Sequence, residues 1–151
     1  MIRPEDATAL VLTGGKSTRM GRDKALIPLE GKPVIEHVIE GLSALFPRLL
    51  LSANDRETYG RFGWPVATDI EREWGALAGV HAGLLAATTE WIFVLAVDMP
   101  LVEPDVVRAV LARAEAPHAG VIPHGLGYHQ PFHAVYHARR ALDILKPREG
   151  E

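Results

Sequence analysis

The chain has 151 residues, of which 48% are hydrophobic and 23% are charged, a composition typical of one globular domain and not of a disordered chain. The formal net charge is −3 and there is no cysteine, which excludes a strongly basic nucleic-acid binder, disulfide bonds and thiolate chemistry. The N-terminus lacks a hydrophobic signal region and no apolar run is long enough to span a membrane. We therefore expect a cytoplasmic protein, with residues 1–151 forming a single domain that has no membrane or nucleic-acid partner.

Predicted strands and helices alternate along the chain. Short apolar runs predict strands at 7–12, 49–51, 65–67, 91–97, 120–123 and 131–136. Helical spacing of apolar residues predicts helices at 33–46, 57–62, 75–87, from 104 onward and 139–145. The run 91–97 lacks alternation, which indicates a central strand covered on both faces. The alternation favours an α/β fold of three layers, a mostly parallel sheet with helices on both faces.

Side-chain spacing also predicts which helix faces are buried. In the helix that begins at Pro104, we expect one face to be apolar and to pack on the sheet, formed by Val106, Val107, Val110 and Leu111. Arg108 and Arg113 are expected on the other face. The first long helix is expected to begin at Pro33, because proline suits a first helical position.

A glycine-rich, basic segment follows the first predicted strand. It reads Leu12-Thr-Gly-Gly-Lys-Ser-Thr-Arg-Met-Gly-Arg-Asp-Lys24 and contains four cationic side chains. Glycines let the backbone approach a ligand closely, and a turn of this kind with fixed positive charge is typical of a phosphate-binding site. The spacing matches neither common motif, because a P-loop would need glycine where Leu10 stands and the G-x-G-x-x-G spacing fails from Gly14 and from Gly15.

Polar residues follow the predicted strands at the edge where ligands bind in parallel sheets. Asn54, Asp69 and Asp98 each come just after a strand. Asp98 follows seven apolar residues, where a carboxylate must be hydrated, paired or bound to a metal. Capping of the next helix is the alternative, but that helix is expected to start at Pro104, which makes Glu103 the better cap. One carboxylate with phosphate and water oxygens suits Mg²⁺, so we predict that Asp98 binds magnesium.

Three segments resemble a known family. The pattern L-x-G-G-x-S-x-R-M-G-x-D-K, from Leu12 to Lys24, resembles the signature loop of the molybdenum cofactor guanylyltransferases of the MobA type. Asp98-Met-Pro100 resembles the family's magnesium-binding Asp-x-Pro, and Gly75 to Gly79 resembles its G-P-L-A-G with alanine in place of proline. The resemblance implies a Rossmann-like nucleotidyltransferase fold that uses Mg²⁺ to transfer GMP from GTP to the phosphate of molybdopterin, with loss of pyrophosphate.

The chemistry assigns roles to the charged residues. The attacking phosphate is already an anion, so catalysis depends on positioning and charge neutralisation more than on a general base. We expect Lys24 to stabilise the α-phosphate and Arg19 to hold the β- and γ-phosphates. Together with the resemblance, this predicts a nucleotide site formed by Leu12, Thr13, Gly14, Gly15, Lys24, Ser52, Asn54, Asp69 and Asp98.

Two positions in the predicted nucleotide site remain open. Family members have Asn-x-Asn after the second strand, whereas this chain has Ser52 at the first of these positions, which leaves the contact there undecided. For Asn54, a loop residue bonded to its own backbone is an equally good interpretation. Asp69 could accept two hydrogen bonds from guanine, which cytosine and adenine cannot donate in the same pattern.

Two other functions fit part of the pattern. One is a related cytidylyl- or sugar-phosphate nucleotidyltransferase, although Gly14-Gly15 and Asp23-Lys24 favour the guanylyl branch, since cytidylyl relatives have alanine before the second glycine. The other is a non-catalytic nucleotide-binding scaffold for molybdoenzyme assembly, with molybdoenzymes or other cofactor-biosynthesis proteins as partners. Family members continue beyond the last predicted helix, so we expect a C-terminally short member that turns over weakly or borrows the missing segment.

The histidines do not predict a zinc site. His129, His133 and His137 are spaced by four, but Pro131 disfavours a helix there, and four residues of a strand span about 13 Å. The segment His129-Gln-Pro-Phe resembles the part of the family near the acceptor, which makes His129 or Gln130 a candidate acceptor contact. Side chains that only contact solvent are the alternative, and we favour that alternative.

Overall fold

The structure, a computed structural model, describes residues 2–13, 24–68, 75–98, 102–125 and 128–145. Its strands, numbered in chain order, are β1 Ala7–Leu12, β2 Pro28–Leu29, β3 Lys32–Pro33, β4 Arg48–Ser52, β5 Val66–Ala67, β6 Trp91–Ala96, β7 Gly120–Val121, β8 His124–Gly125, β9 Tyr128–His129 and β10 His133–His137. Its helices are α1 Val34–Ser43, α2 Arg56–Gly60, α3 Ala76–Ala86, α4 Pro104–Ala112 and α5 Ala138–Ile144. No helix within these ranges is long and apolar enough to cross a membrane.

A six-stranded sheet with the order β5-β4-β1-β6-β10-β7 organises the chain. Strands β5, β4, β1 and β6 run parallel, whereas β10 is antiparallel to both β6 and β7. Leu10, in the middle of β1, pairs with Leu50 on one side and with Val94 on the other. The predicted mostly parallel sheet is therefore confirmed.

Helices cover both faces of this sheet. On one face, alternate residues of β1 and β6 pack against buried residues of α1 and α4, including Ile35, Leu42 and Leu111. On the other face, Leu10, Ile92 and Val94 pack against α3 and α5. Because β6 is buried on both faces, it needs apolar residues at every position, which explains the uninterrupted run in the sequence. The three-layer α/β architecture is confirmed.

Two details of the helices differ from the sequence-based expectations. α1 begins at Val34, because Pro33 pairs in the hairpin β2–β3 and precedes the helix as its N-cap. In α4, Val106 is 45% exposed, whereas Val107, Val110 and Leu111 are buried. The buried three follow the i, i+3, i+4 spacing of one helix face, and Val106 lies about 100° away from Val107 around the axis. Val106 was therefore wrongly assigned to the packed face.

Candidate functional site

The four parallel strands end together at one edge of the sheet, which we call the carboxyl edge. Hydrogen bonds continue the ladder one residue past the strand ends. The Thr13 amide donates to the Ser52 carbonyl at 3.2 Å, and the Val97 amide donates to the Leu12 carbonyl at 3.1 Å. The predicted contacts Leu12, Thr13 and Ser52 thus lie side by side at this edge, where ligands bind in open parallel sheets.

Two buried hydroxyl groups tie β1, β4 and α3 together at the carboxyl edge. The Thr13 hydroxyl donates to the Ser52 carbonyl at 2.8 Å, and the Ser52 hydroxyl donates to the Gly79 carbonyl of α3 at 3.0 Å. Thr13 and Ser52 are 5% and 4% exposed. Because the hydroxyl of Ser52 is engaged inside the protein, it acts first as a structural link between β4 and α3.

Helix α3 begins at the same edge and lies unusually close to the sheet. A Cβ at Gly79 would stand 2.8 Å from the Ser52 hydroxyl, and a Cβ at Gly83 would stand 2.2 Å from a methyl group of Leu10. Both glycines therefore serve close helix–sheet packing. Gly75, just before the helix, has a φ of +62°, a conformation that favours glycine over residues with a Cβ.

The end of β4 leads into a capped helix. Asn54 is exposed directly beyond the strand. The next residue, Asp55, accepts a hydrogen bond from the Thr58 amide at 3.0 Å and caps α2. Hydrogen bonds from Thr58 lower the pKa of the Asp55 carboxyl. This cap was not predicted from the sequence, although aspartate is among the preferred N-cap residues.

Asp98 stands exposed at the end of the central strand. It follows Val97, which is only 3% exposed. Among the residues that the structure describes, none makes a hydrogen bond or ion pair with the Asp98 carboxylate. Glu103 occupies the N-cap position of α4, as predicted, but its side chain makes no capping hydrogen bond.

The accessible carboxylate of Asp98 is compatible with a divalent metal ion that a bound ligand also holds. The described ranges contain no group of three or more side chains suited to bind a metal. A lone, accessible carboxylate nevertheless suits Mg²⁺, which prefers to keep water and to take phosphate oxygens as its other ligands. The donor set around Asp98 is therefore compatible with an ion that arrives with a nucleotide.

Lys24 stands on an anchored turn. It opens a short 3-10 helix, Lys24–Leu26, whose next residue, Ala25, is fully buried. Because β1 and β4 are parallel, the chain between them has to run back from the carboxyl edge to the opposite edge of the sheet, and α1 makes this return. α1 therefore begins near the carboxyl edge. The turn Lys24–Leu26, which contacts α1, also lies near that edge. The predicted site residues Gly14, Gly15, Arg19 and Asp69 lie outside the described residues.

His133 is a buried residue that was not predicted to belong to the site. It is 7% exposed, and its ring meets the Phe93 ring edge-on with centroids 5.5 Å apart. Within the described part of the chain, neither ring nitrogen has a hydrogen-bond partner, and burial lowers the pKa of the imidazole. His133 pairs with Leu95, three residues before Asp98, so it lies near the carboxyl edge on the α4 side of the sheet.

His137, at the other end of β10, makes different contacts. His137 meets Trp91 edge-on at 5.0 Å, and its Nδ1 accepts a hydrogen bond from the Arg140 amide at 3.2 Å, which caps α5. His133 and His137 thus occupy separate aromatic environments on β10.

These features define a class of protein. The arrangement is that of an α/β nucleotide-binding protein. It combines a parallel sheet, a glycine-rich basic segment after the first strand, and an accessible carboxylate at the end of the central strand. The sequence pattern of the MobA-like NTP transferase domain matches residues 9–151. The chain belongs to the MobA-like NTP transferase family, which confirms the predicted family and the nucleotidyltransferase class.

Individual relatives agree with this assignment. A molybdenum cofactor guanylyltransferase from Vibrio parahaemolyticus is 36% identical over 141 residues, which cover 92% of this chain and 72% of that protein. The enzyme of the same name from Pseudomonas putida is 36% identical over 140 residues, which cover 91% and 73%. The crystal structure of molybdopterin-guanine dinucleotide biosynthesis protein A from Archaeoglobus fulgidus matches with a TM-score of 0.74 and 29% identity, covering 90% of this chain and 69% of that one.

Proposed function

We propose that this chain transfers GMP from GTP to the phosphate of molybdopterin, giving the guanine dinucleotide form of the cofactor and pyrophosphate. The observation that carries the proposal is the 36% identity, over 92% of this chain, to a protein named molybdenum cofactor guanylyltransferase. The names of these relatives favour the guanylyl reaction over cytidylyl or sugar-phosphate transfer and over a non-catalytic scaffold.

GTP is proposed to bind along the carboxyl edge. Its base and ribose would contact backbone groups of Leu12 and Thr13 and the segment from Ser52 to Asn54, since these groups lie where parallel sheets bind ligands. Asp69 is proposed to select guanine by accepting hydrogen bonds from its N1–H and exocyclic amine. The backbone of Gly14 and Gly15 is proposed to receive the phosphates.

The reaction joins an acceptor oxygen to the α-phosphorus of GTP. The bond from that phosphorus to the oxygen that bridges to the β-phosphate breaks, and pyrophosphate leaves with the electron pair. The side chain of Lys24 is proposed to neutralise charge at the α-phosphate, and Arg19 to hold the departing pyrophosphate through its two-pronged guanidinium. The Asp98 carboxylate would hold Mg²⁺, which when bound neutralises and orients the phosphates.

Nucleotide binding can be tested by thermal stability. The melting temperature is measured with Mg²⁺ and each of GTP, CTP, ATP and UTP, for the wild-type protein, Asp98→Asn and the control Asp105→Asn. Asp105 is a matched control because it is a fully exposed aspartate on α4. A ligand at 100 times its Kd stabilises a protein by about 2.7 kcal/mol, so we expect a clear rise that is selective for GTP, needs Mg²⁺ and shrinks only in Asp98→Asn. A CTP-selective rise, or none with any nucleotide, would contradict the proposal.

A further inference from the structure

A short hairpin just after Lys24 is held to α1 by two side-chain contacts. The His37 ring donates from Nε2 to the Leu29 carbonyl at 2.6 Å, because a carbonyl oxygen only accepts. The Lys32 ammonium lies 2.5 Å from a Glu40 carboxylate oxygen. We call these four residues the hairpin anchor. Two residues of α1, one helical turn apart, thus contact both strands of the hairpin.

The hairpin depends on this anchor for its position. β2 and β3 have two residues each, and the turn between them has positive φ at both Glu30 (50°) and Gly31 (87°), as in a type I′ turn. An isolated hairpin is at best marginally stable in water, so a hairpin this short cannot hold its own position. α1 provides a firm base, because Ile35, Val38 and Leu42 on its opposite face are fully buried.

A short series of backbone contacts joins the hairpin and α1 to Lys24. The Val34 amide, at the start of α1, donates to the Ile27 carbonyl at 3.0 Å. The Ile27 amide donates in turn to the Lys24 carbonyl at 3.3 Å, and Ala25 between them is fully buried. Because β2 begins directly after Ile27, a displaced hairpin would shift the turn that holds Lys24.

We propose that Lys32, His37 and Glu40 are positioning residues, which hold the hairpin on α1 and thereby set the place of the Lys24 ammonium at the carboxyl edge. This inference rests on the proposed function, in which Lys24 contacts the α-phosphate. The Glu40 side chain is 64% exposed, and exposed ion pairs add little to stability, so the anchor should affect the reaction rate more than folding. A displacement of roughly 1 Å at a catalytic group can cost on the order of 100-fold in rate.

The test is a set of rate measurements in two backgrounds. We would measure kcat and KM of GMP transfer for Glu40→Gln, Lys32→Met and His37→Phe, each in the wild-type protein and in Lys24→Ala. In the wild-type background we expect kcat to fall by roughly tenfold, with the KM for GTP little changed. In Lys24→Ala we expect no further loss, because the anchor acts through the side chain that has been removed.

Matched variants separate positioning from a general structural role. Glu36→Gln makes the same substitution on the same helix, at a residue without an ion pair in the described structure, and should keep the wild-type rate. His37→Gln keeps a donor for Leu29, and the exchange of Lys32→Glu with Glu40→Lys keeps an ion pair, so both should restore most of the rate. Unfolding in urea should be unchanged throughout.

Several outcomes would overturn the inference. Equal losses of rate in both backgrounds would show that the anchor does not act through Lys24. Wild-type rates in all three anchor variants, beside a slow Lys24→Ala, would refute the anchor but leave the role of Lys24 intact. A wild-type rate in Lys24→Ala would refute the role of Lys24, and the inference with it. Failure of the wild-type protein to transfer GMP at all would contradict the proposed function itself.

Discussion

Replacing Gly83 with alanine should destabilise the protein, although alanine is the better helix former. The new Cβ would lie 2.2, 2.6 and 2.9 Å from the Cδ2, Cδ1 and Cγ atoms of Leu10, all inside van der Waals contact. Leu10 is fully buried between β4 and β6, so it has little room to move away. Overpacking of a core typically costs about 1–3 kcal/mol, and the better helix propensity of alanine returns about 1 kcal/mol. Because the nearest Leu10 atom would lie only 2.2 Å away, we place the overpacking cost in the upper part of that range, at about 2–3 kcal/mol. The expected net loss is then about 1–2 kcal/mol, or roughly 2–8 °C in melting temperature.

Gly60→Ala is the matched control for this substitution. Gly60 also lies in a helix, α2, but a Cβ there would meet nothing within 4 Å. The same change should therefore be neutral or stabilising by up to about 1 kcal/mol. Both variants would be compared by urea unfolding, followed by the fluorescence of the three tryptophans, of which Trp91 is buried.

A double-mutant cycle tests the cause of the destabilisation. Leu10→Ala alone should cost about 2–5 kcal/mol, but it also makes room for the new methyl group. Adding Gly83→Ala to Leu10→Ala should then cost less than adding it to the wild-type protein, with a coupling of at least about 0.5 kcal/mol. If Gly83→Ala behaves like Gly60→Ala, or if the two changes at Leu10 and Gly83 are additive, the close packing of α3 on β1 is not the reason for glycine at this position.

Three further predictions concern stability. Burial lowers the pKa of His133 in the folded state, so the unfolded state takes up the proton more readily and the free energy of unfolding falls as the pH drops through about 6.5. In urea unfolding at pH 7.5 and 5.5, His133→Phe should weaken this dependence, whereas the exposed His118→Gln should preserve it. Glu30→Asn should stabilise by roughly 0.5–1 kcal/mol, because asparagine tolerates positive φ better; a loss would contradict this. Ser52→Ala should cost about 1 kcal/mol through the lost bond to Gly79, and an unchanged free energy would show that bond to be unimportant.

The sequence predicted the layers of this fold well, for a physical reason. β6 has to be apolar at every position because helices cover both of its faces, and such a run is visible without a structure. The burial of α4 was predicted less well. Helical spacing alone accepted Val106, because it lies only about 40° from Val110 around the axis. Tertiary packing decides where the buried face ends, and Val106 lies beyond that limit.

The candidate site was predicted in outline only. Asp98 was identified because a carboxylate after an apolar strand is conspicuous, and the structure places it accessibly at the carboxyl edge. The internal bond from Ser52 to Gly79 and the contact of Lys32 with Glu40 could not be read from the sequence. Both depend on how a helix docks against another element, and no local spacing encodes that arrangement.

The most direct test of the proposed reaction follows the α-phosphate itself. The protein would be incubated with molybdopterin, Mg²⁺ and GTP labelled at the α-phosphate, and the label and pyrophosphate would be quantified. We expect one pyrophosphate for each labelled GMP that joins the acceptor, a rate at least about 100-fold lower in Asp98→Asn, and an unchanged rate in Asp105→Asn. Transfer from CTP in place of GTP, or no transfer of label by folded protein that binds GTP, would contradict guanylyl transfer.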